Sequence, residues 1–269
     1  MKTRTLLPLI ALVLLAAACT SQSDSTTTTT AGTDTTETTT ASSTTSEDGA
    51  TSQTDTTTTA SEATTTGYEP MFEEGDCTFS PPIGQNPTCG YLVVPENRDE
   101  PAGAMVQVAV AVFPSTADTP ASDPLVYLEG GPGGNILEML QFDFDSRFGP
   151  FLAERDVIIF DQRGVGQSMP NLDCPEVRDL QIELLDDALT AEDYNEAEAP
   201  AVAACQSRLD DEGIDLAAYN SESNAADVAD LRVALGIDDW NLYGISYGTR
   251  LALTTMRDHP EGIRSVILD

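Results

Sequence analysis

The residues best suited to chemistry stand near the end of the chain, in Gly244-Ile245-Ser246-Tyr247-Gly248. A mostly apolar run ends in this Gly-x-Ser-x-Gly pattern, and a helix-compatible segment, 251–258, follows at once. A strand that turns sharply into a helix at a serine presents the hydroxyl at the tip of the turn, as a nucleophile for acyl transfer. Such a turn strains the serine backbone and requires small residues two places before and two places after it, which Gly244 and Gly248 supply. The helix aims its first free N–H groups and its positive dipole end at the point where an oxyanion forms. Ser246 is therefore the candidate nucleophile and Tyr247 N–H a candidate oxyanion donor.

A second donor is expected from Glu129-Gly130-Gly131-Pro132-Gly133-Gly134. Consecutive glycines bare their backbone N–H groups to a substrate carbonyl with no side chains in the way. Gly131 N–H is the expected partner of Tyr247 N–H, with Gly130 as the alternative. A general base is harder to find. The single histidine, His259, follows the segment after Ser246, and a helix between them at 1.5 Å per residue sets the two roughly 15–20 Å apart. His259 reads instead as a helix C-terminal residue, favourably placed against the dipole. The sole lysine is Lys2, which rules out a Ser-Lys dyad in the mature part. Asp269 follows an apolar run, 263–268, where a triad acid is conceivable, but a structural role is expected of it.

Positioning these groups takes a sheet. Strands are expected at 89–94 and 105–113, the second alternating Val106, Val108, Val110 and Val112. A buried strand at 124–128 runs into the glycine loop. After a helical stretch ending near 154, an apolar strand at 157–160 leads into Asp161-Gln162-Arg163-Gly164-Val165-Gly166-Gln167-Ser168. Segment 175–213 is acidic and helix-prone, too long for a simple loop, and is read as a helical excursion. Asn224 or Ser223 is expected to cap a helix over 225–235, stopped by Gly236. The order of elements indicates an α/β sheet that becomes parallel. Asp161 and Arg163, at a strand end, are expected to form a buried structural ion pair.

Taken together, the two glycine turns, the Gly-x-Ser-x-Gly turn and the Cys-Gly-x-Leu-x-Val-Pro opening at 89–95 resemble the prolyl and tripeptidyl aminopeptidase family of α/β-hydrolases, over about 77–269. The resemblance implies an α/β-hydrolase fold and a serine exopeptidase that needs no cofactor. Its peptide substrates would lose proline or short peptides from free N-termini through an acyl-enzyme on Ser246. In that family the triad acid, the histidine and a substrate-covering cap follow later strands. The chain is accordingly expected to be the N-terminal part of a longer enzyme, inactive by itself and with an unpaired sheet edge. Many family members carry His before Gly-Gly-Pro-Gly, whereas Glu129 stands here. This carboxylate near the site bears on substrate preference, and one role for it is to meet the substrate's amino group. Two alternatives stay open: an esterase or lactonase on the same scaffold, or a surface lipoprotein that binds without catalysis.

The first quarter of the chain belongs to no globular domain. Lys2 and Arg4 precede an apolar run, 6–18, in the layout of an export signal (residues 1–18), too short for a comfortable membrane span. Leu15-Ala16-Ala17-Ala18-Cys19 resembles a bacterial lipobox with the leucine one place early. That predicts lipidation of Cys19 and a membrane anchor; plain secretion after cleavage in the alanine run is the alternative. Residues 19–66 are rich in Thr and Ser with scattered acids and read as a disordered tether, leaving 67–269 as the folded part. A net charge of −33 and a pI near 4.1 make nucleic acid and anionic lipid headgroups poor partners, and no nucleic acid is expected. Cys77, Cys89, Cys174 and Cys205 make an even number in an exported protein, which indicates two disulfides. Of three possible pairings the sequence-local one, Cys77–Cys89 with Cys174–Cys205, is favoured, each bond worth about 3 kcal/mol. With no C-x-x-C and no second histidine, no metal is expected. The sequence does not set an oligomeric state.

Overall fold

Alternating apolar residues over Thr88–Pro95 and Met105–Phe113 build one half of a mixed sheet. In the computed structural model, which describes residues 68–269, Met71–Gly75 is β1 and these two strands are β2 and β3, each antiparallel to its neighbour. The expected export signal, Cys19 and the tether lie outside the described residues. The other half is parallel: Ala121–Leu128 (β4), Arg155–Phe160 (β5), Trp240–Gly244 (β6) and Ile263–Leu268 (β7). The strands run in the order β1-β2-β3-β5-β4-β6-β7. β5 thus slips between β3 and β4 and is the seam where antiparallel pairing gives way to parallel.

Because successive side chains point to opposite faces, each central strand feeds two cores. Tyr127 and Ile159 face Ile136–Leu152 (α1), whose Leu137, Leu140, Phe144 and Phe148 are buried against them. On the same strands Val126, Leu128 and Ile158 face the opposite way. There they meet Val228 and Leu231 of Ser221–Ala234 (which becomes α4) and Leu251 of Tyr247–Asp258 (α5). Burying one such side chain stabilises by about 1.5–3 kcal/mol. The excursion consists of Pro175–Glu183 (α2) and Ala191–Asp211 (α3). It has little core of its own: α2 buries nothing, and α3 buries only Cys205 and Leu209. The Cys174–Cys205 disulfide closes it, with Arg208 Nε on Glu176 Oε1 at 2.8 Å beside the bond. The Cys77–Cys89 disulfide fastens the segment after β1 to β2.

Two expected boundaries move, and one strand is additional to those expected. β1 carries no sequence signal, since Met71-Phe72-Glu73-Glu74-Gly75 shows no apolar alternation; backbone pairing with β2 holds it. α4 begins at Ser221, and its cap is Asn220, which accepts N–H from Glu222 and Ser223 at 3.0 and 2.9 Å. Ser223 and Asn224 lie inside the helix instead, buried. The strand expected at 124–128 starts earlier, at Ala121, because the chain continues pairing with β5 from Arg155.

Candidate active site

β6 delivers the chain to Ser246, which has φ 51° and ψ −119° and is the sole non-glycine residue at positive φ among the described residues. That conformation costs about 1–3 kcal/mol and persists only where the surroundings over-determine it. Here they do. Ile245 N–H donates to Leu128 O at 3.2 Å, Ser246 N–H to Asp269 O at 2.7 Å and Gly248 N–H to Ile245 O at 2.7 Å. Backbone approaches backbone so closely that a Cβ on Gly244 would overlap Gly248 O, and one on Gly248 would overlap Leu128 O. Ser246 is exposed, and its Oγ has no hydrogen-bond partner among the described residues.

The loop 129–134, at the end of β4, lies against this turn. A Cβ built on Gly130 would sit 3.0 Å from Ser246 Cβ and 3.5 Å from Ser246 Oγ. Gly130 N–H is already taken, donating to Glu129 Oε1 at 2.7 Å. Gly131, at φ 110°, and Tyr247, the first residue of α5, offer N–H groups with no protein acceptor among the described residues. Of the two loop amides, Gly130 and Gly131, Gly131 is the open one.

Glu129 is folded back beneath the loop. Its Oε2 accepts from Tyr127 OH at 3.3 Å and lies 3.6 Å from Arg147 Nη1, and a Cβ on Gly134 would meet its Cγ at 2.9 Å. Arg147 also donates to Tyr127 OH at 2.9 Å and to Asp143 Oδ2 at 2.6 Å. Burial, reinforced by the Glu129 charge, pushes the Tyr127 hydroxyl up, so it stays a neutral donor.

The neighbouring loop, 161–168, follows β5. Asp161 is fully buried and accepts Leu137 N–H at 3.1 Å and Gln167 N–H at 2.9 Å. It thereby takes the place of a local cap for α1, since Asn135 makes no side-chain cap bond. Burial outweighs these donors and pushes its carboxyl up to about 6. Gln162 Nε2 donates to Glu129 O at 2.9 Å, buckling the two loops together. The expected Asp161–Arg163 ion pair does not form. Asp161 turns to the N–H groups of α1, whereas Arg163 turns to α4 and forks onto Asp227 at 2.6 and 2.7 Å, both side chains buried. Arg163 also donates to Glu96 O and Ala218 O, and Arg98 closes on Asp227 from outside. Only three-dimensional proximity identifies Asp227 as the partner, 64 positions from Arg163.

His259 ends α5 as its C-cap, with its N–H on Thr255 O at 2.7 Å. The 12 residues of α5 hold it roughly 18 Å along the helix from Ser246. Asp269 contributes main chain to the elbow, donating to Gly244 O at 2.9 Å, while its carboxylate accepts from Tyr243 OH at 3.1 Å. Beside the elbow lies a cavity of about 810 Å³, bordered by Pro132, Gln162, Tyr219, Asn224, Tyr247 and Arg250. The geometry provides an exposed hydroxyl, two free amide donors and room for a ligand. Among the described residues it provides no base within reach of the hydroxyl.

The profile of the family described as alpha/beta hydrolase fold matches residues 123–269. The chain is similar to the serine protease Hip1 of Mycobacterium tuberculosis, 32% identical over 190 residues that cover 67% of this chain and 35% of that protein. It is also similar to the tripeptidyl aminopeptidase of Streptomyces lividans, 27% identical over 186 residues, 67% of this chain and 34% of that one. Among solved structures, a proline iminopeptidase-related protein of Thermus thermophilus aligns with a TM-score of 0.37 and 22% identity, covering 68% of this chain and 44% of that one. The chain spans about a third of the length of these two curated relatives.

Proposed function

Because the chain belongs to the alpha/beta hydrolase fold family, we propose that the whole protein is an exported serine peptidase, an aminopeptidase that releases proline or short peptides from free N-termini. The observation that carries the reading is Ser246, held exposed at φ 51° with its Oγ against the glycine loop. The names of the relatives support a peptidase in particular. Ser246 Oγ attacks the scissile carbonyl and passes its proton to a base; the oxyanion is held by Gly131 and Tyr247 N–H; the amine leaves and water releases the acyl group. The base and its orienting acid are assigned to a part of the whole protein outside this sequence, since His259 stands at the wrong end of α5.

Glu129 enters this reading chiefly through the loop, because its carboxylate is engaged by Gly130 N–H and Arg147. The other role, meeting the ammonium of a free N-terminus, predicts that Glu129→Gln erases discrimination between free and blocked N-termini. Export is supported by the charged and apolar leader, 1–18, and by two disulfides, which persist in oxidising compartments. Anchoring through lipidated Cys19 belongs to the same proposal. Mass spectrometry of the mature N-terminus tests it: a diacylglyceryl adduct on Cys19 is expected, and an unmodified N-terminus cut within the alanine run refutes it. For the activity, the whole protein is assayed on aminoacyl-proline and tripeptidyl amides against short-chain esters. Cleavage of the amides is expected, and turnover of esters alone sinks the peptidase reading.

A further inference from the structure

Arg250 stands in the first turn of α5, on the wall of the 810 Å³ cavity that also reaches Pro132 of the glycine loop and Tyr247. Whatever fills that cavity touches Tyr247, the residue that follows Ser246. Every other described arginine has a carboxylate or carbonyl partner. Arg250 is exposed and has none among the described residues. This is unexpected in a chain with 45 acidic residues against 12 basic ones, where a guanidinium rarely lacks an acid to pair with. The acids on the cavity wall are engaged elsewhere. Glu138 accepts from Asn135 and Gln167 at 3.1 and 2.6 Å, and Asp173 pairs with Arg178 at 3.0 Å. A guanidinium offers a planar fork of donors that matches a carboxylate, and the N-terminal end of α5 adds positive potential at the same spot.

We propose that this cavity is a carboxylate-binding subsite with Arg250 as its anion receptor, taking either an acidic side chain or the terminal carboxylate of a short peptide held at Ser246. The substrate class rests on the peptidase reading; the anion site does not. Binding is measured by calorimetry on the whole protein carrying Ser246→Ala, with three peptides of equal length. One carries an internal Glu and an amidated C-terminus, one is neutral with a free C-terminal carboxylate, and one is neutral and amidated.

The first or second peptide is expected to bind about tenfold or more tightly than the third, the scale of a charge-assisted hydrogen bond. Which of the two does so identifies the source of the carboxylate. Arg250→Gln brings the ratio close to one, and Arg250→Lys restores part of it. Equal affinities for all three peptides overturn the proposal, as does a preference that survives Arg250→Gln. A fall in unfolding midpoint for Arg250→Gln comparable to that of a buried ion-pair mutant also overturns it, by showing that the guanidinium is paired inside the whole protein. Turnover is assayed separately with Ser246 intact. Selective binding without cleavage of any peptide leaves the subsite and removes the peptidase; cleavage without carboxylate preference does the reverse.

Discussion

Two glycine-rich loops leave the sheet side by side, at the carboxyl ends of the neighbouring parallel strands β4 and β5. In the first, 129–134, Gly131 N–H stays open and the Glu129 side chain is tied down. In the second, 161–168, Asp161, Gln162, Arg163 and Ser168 are all consumed by bonds to α1, to the first loop, to Asp227 and to main chain. The first loop has four glycines and the second two, and in the second they serve turns rather than chemistry, so glycine alone does not mark a site. What marks it is a backbone donor left without a partner beside a strained, exposed hydroxyl. The second loop acts as a brace, tied to the first through Gln162 Nε2 on Glu129 O.

If the brace is structural, Arg163→Met has the largest effect on folding. It leaves Asp227 buried with only Arg98 on it, and a loss of about 3–5 kcal/mol in urea unfolding is expected. A loss below about 1 kcal/mol would remove the distinction between the loops. Gly131→Ala strikes the other side of the comparison. Its φ of 110° resists a side chain, and the new Cβ would meet Gly133 N and Gly134 N at 2.9 Å. Displacing this donor lowers kcat of the whole protein by roughly 100- to 1,000-fold, with the unfolding midpoint much less affected than in Arg163→Met; an unaltered kcat excludes Gly131 as a donor.

Asp161 sharpens the comparison through pH. Its folded-state value of about 6 lies above the ordinary aspartate value of 3.8, so between these values the folded chain holds a proton that the unfolded chain has released. That contribution is complete below pH 3.8 and is lost as pH rises past about 6, on the order of 3 kcal/mol in all. Asp161→Asn should flatten this part of the stability curve relative to the parent; an identical slope in both means that burial does not govern the carboxyl. The smallest effect belongs to Glu129→Gln. The amide oxygen still accepts Gly130 N–H but loses the charge facing Arg147, so kcat falls by roughly fivefold, about 1 kcal/mol. KM barely changes, on free and blocked N-termini alike. A loss confined to free N-termini would transfer Glu129 to substrate binding.

Much of this arrangement is legible from local pattern. The elbow, both glycine loops and the alternation in β3 depend on neighbours within a few positions, and the sequence-local disulfide pairing is the one the structure contains. What escaped the sequence is set by distance or by degeneracy. Arg163 finds Asp227 only after α4 has packed on the sheet, and Asp161 reaches α1 only because β5 inserts next to β4. The start of α4 was ambiguous because Asn220, Ser221, Ser223 and Asn224 are all cap formers. β1 carries no apolar pattern, since it is an edge strand held by backbone bonds. The open guanidinium of Arg250 was likewise invisible, because a missing partner is a property of space.

The central claim is that Ser246 is the nucleophile, and covalent labelling tests it most directly. The whole protein is treated with a fluorophosphonate, digested and mapped by mass spectrometry, alongside the Ser246→Ala variant. A single adduct on Ser246 is predicted, together with loss of both label and peptide hydrolysis in the variant. Hydrolysis that persists in Ser246→Ala, or an active protein whose adduct lies on another residue, would contradict it.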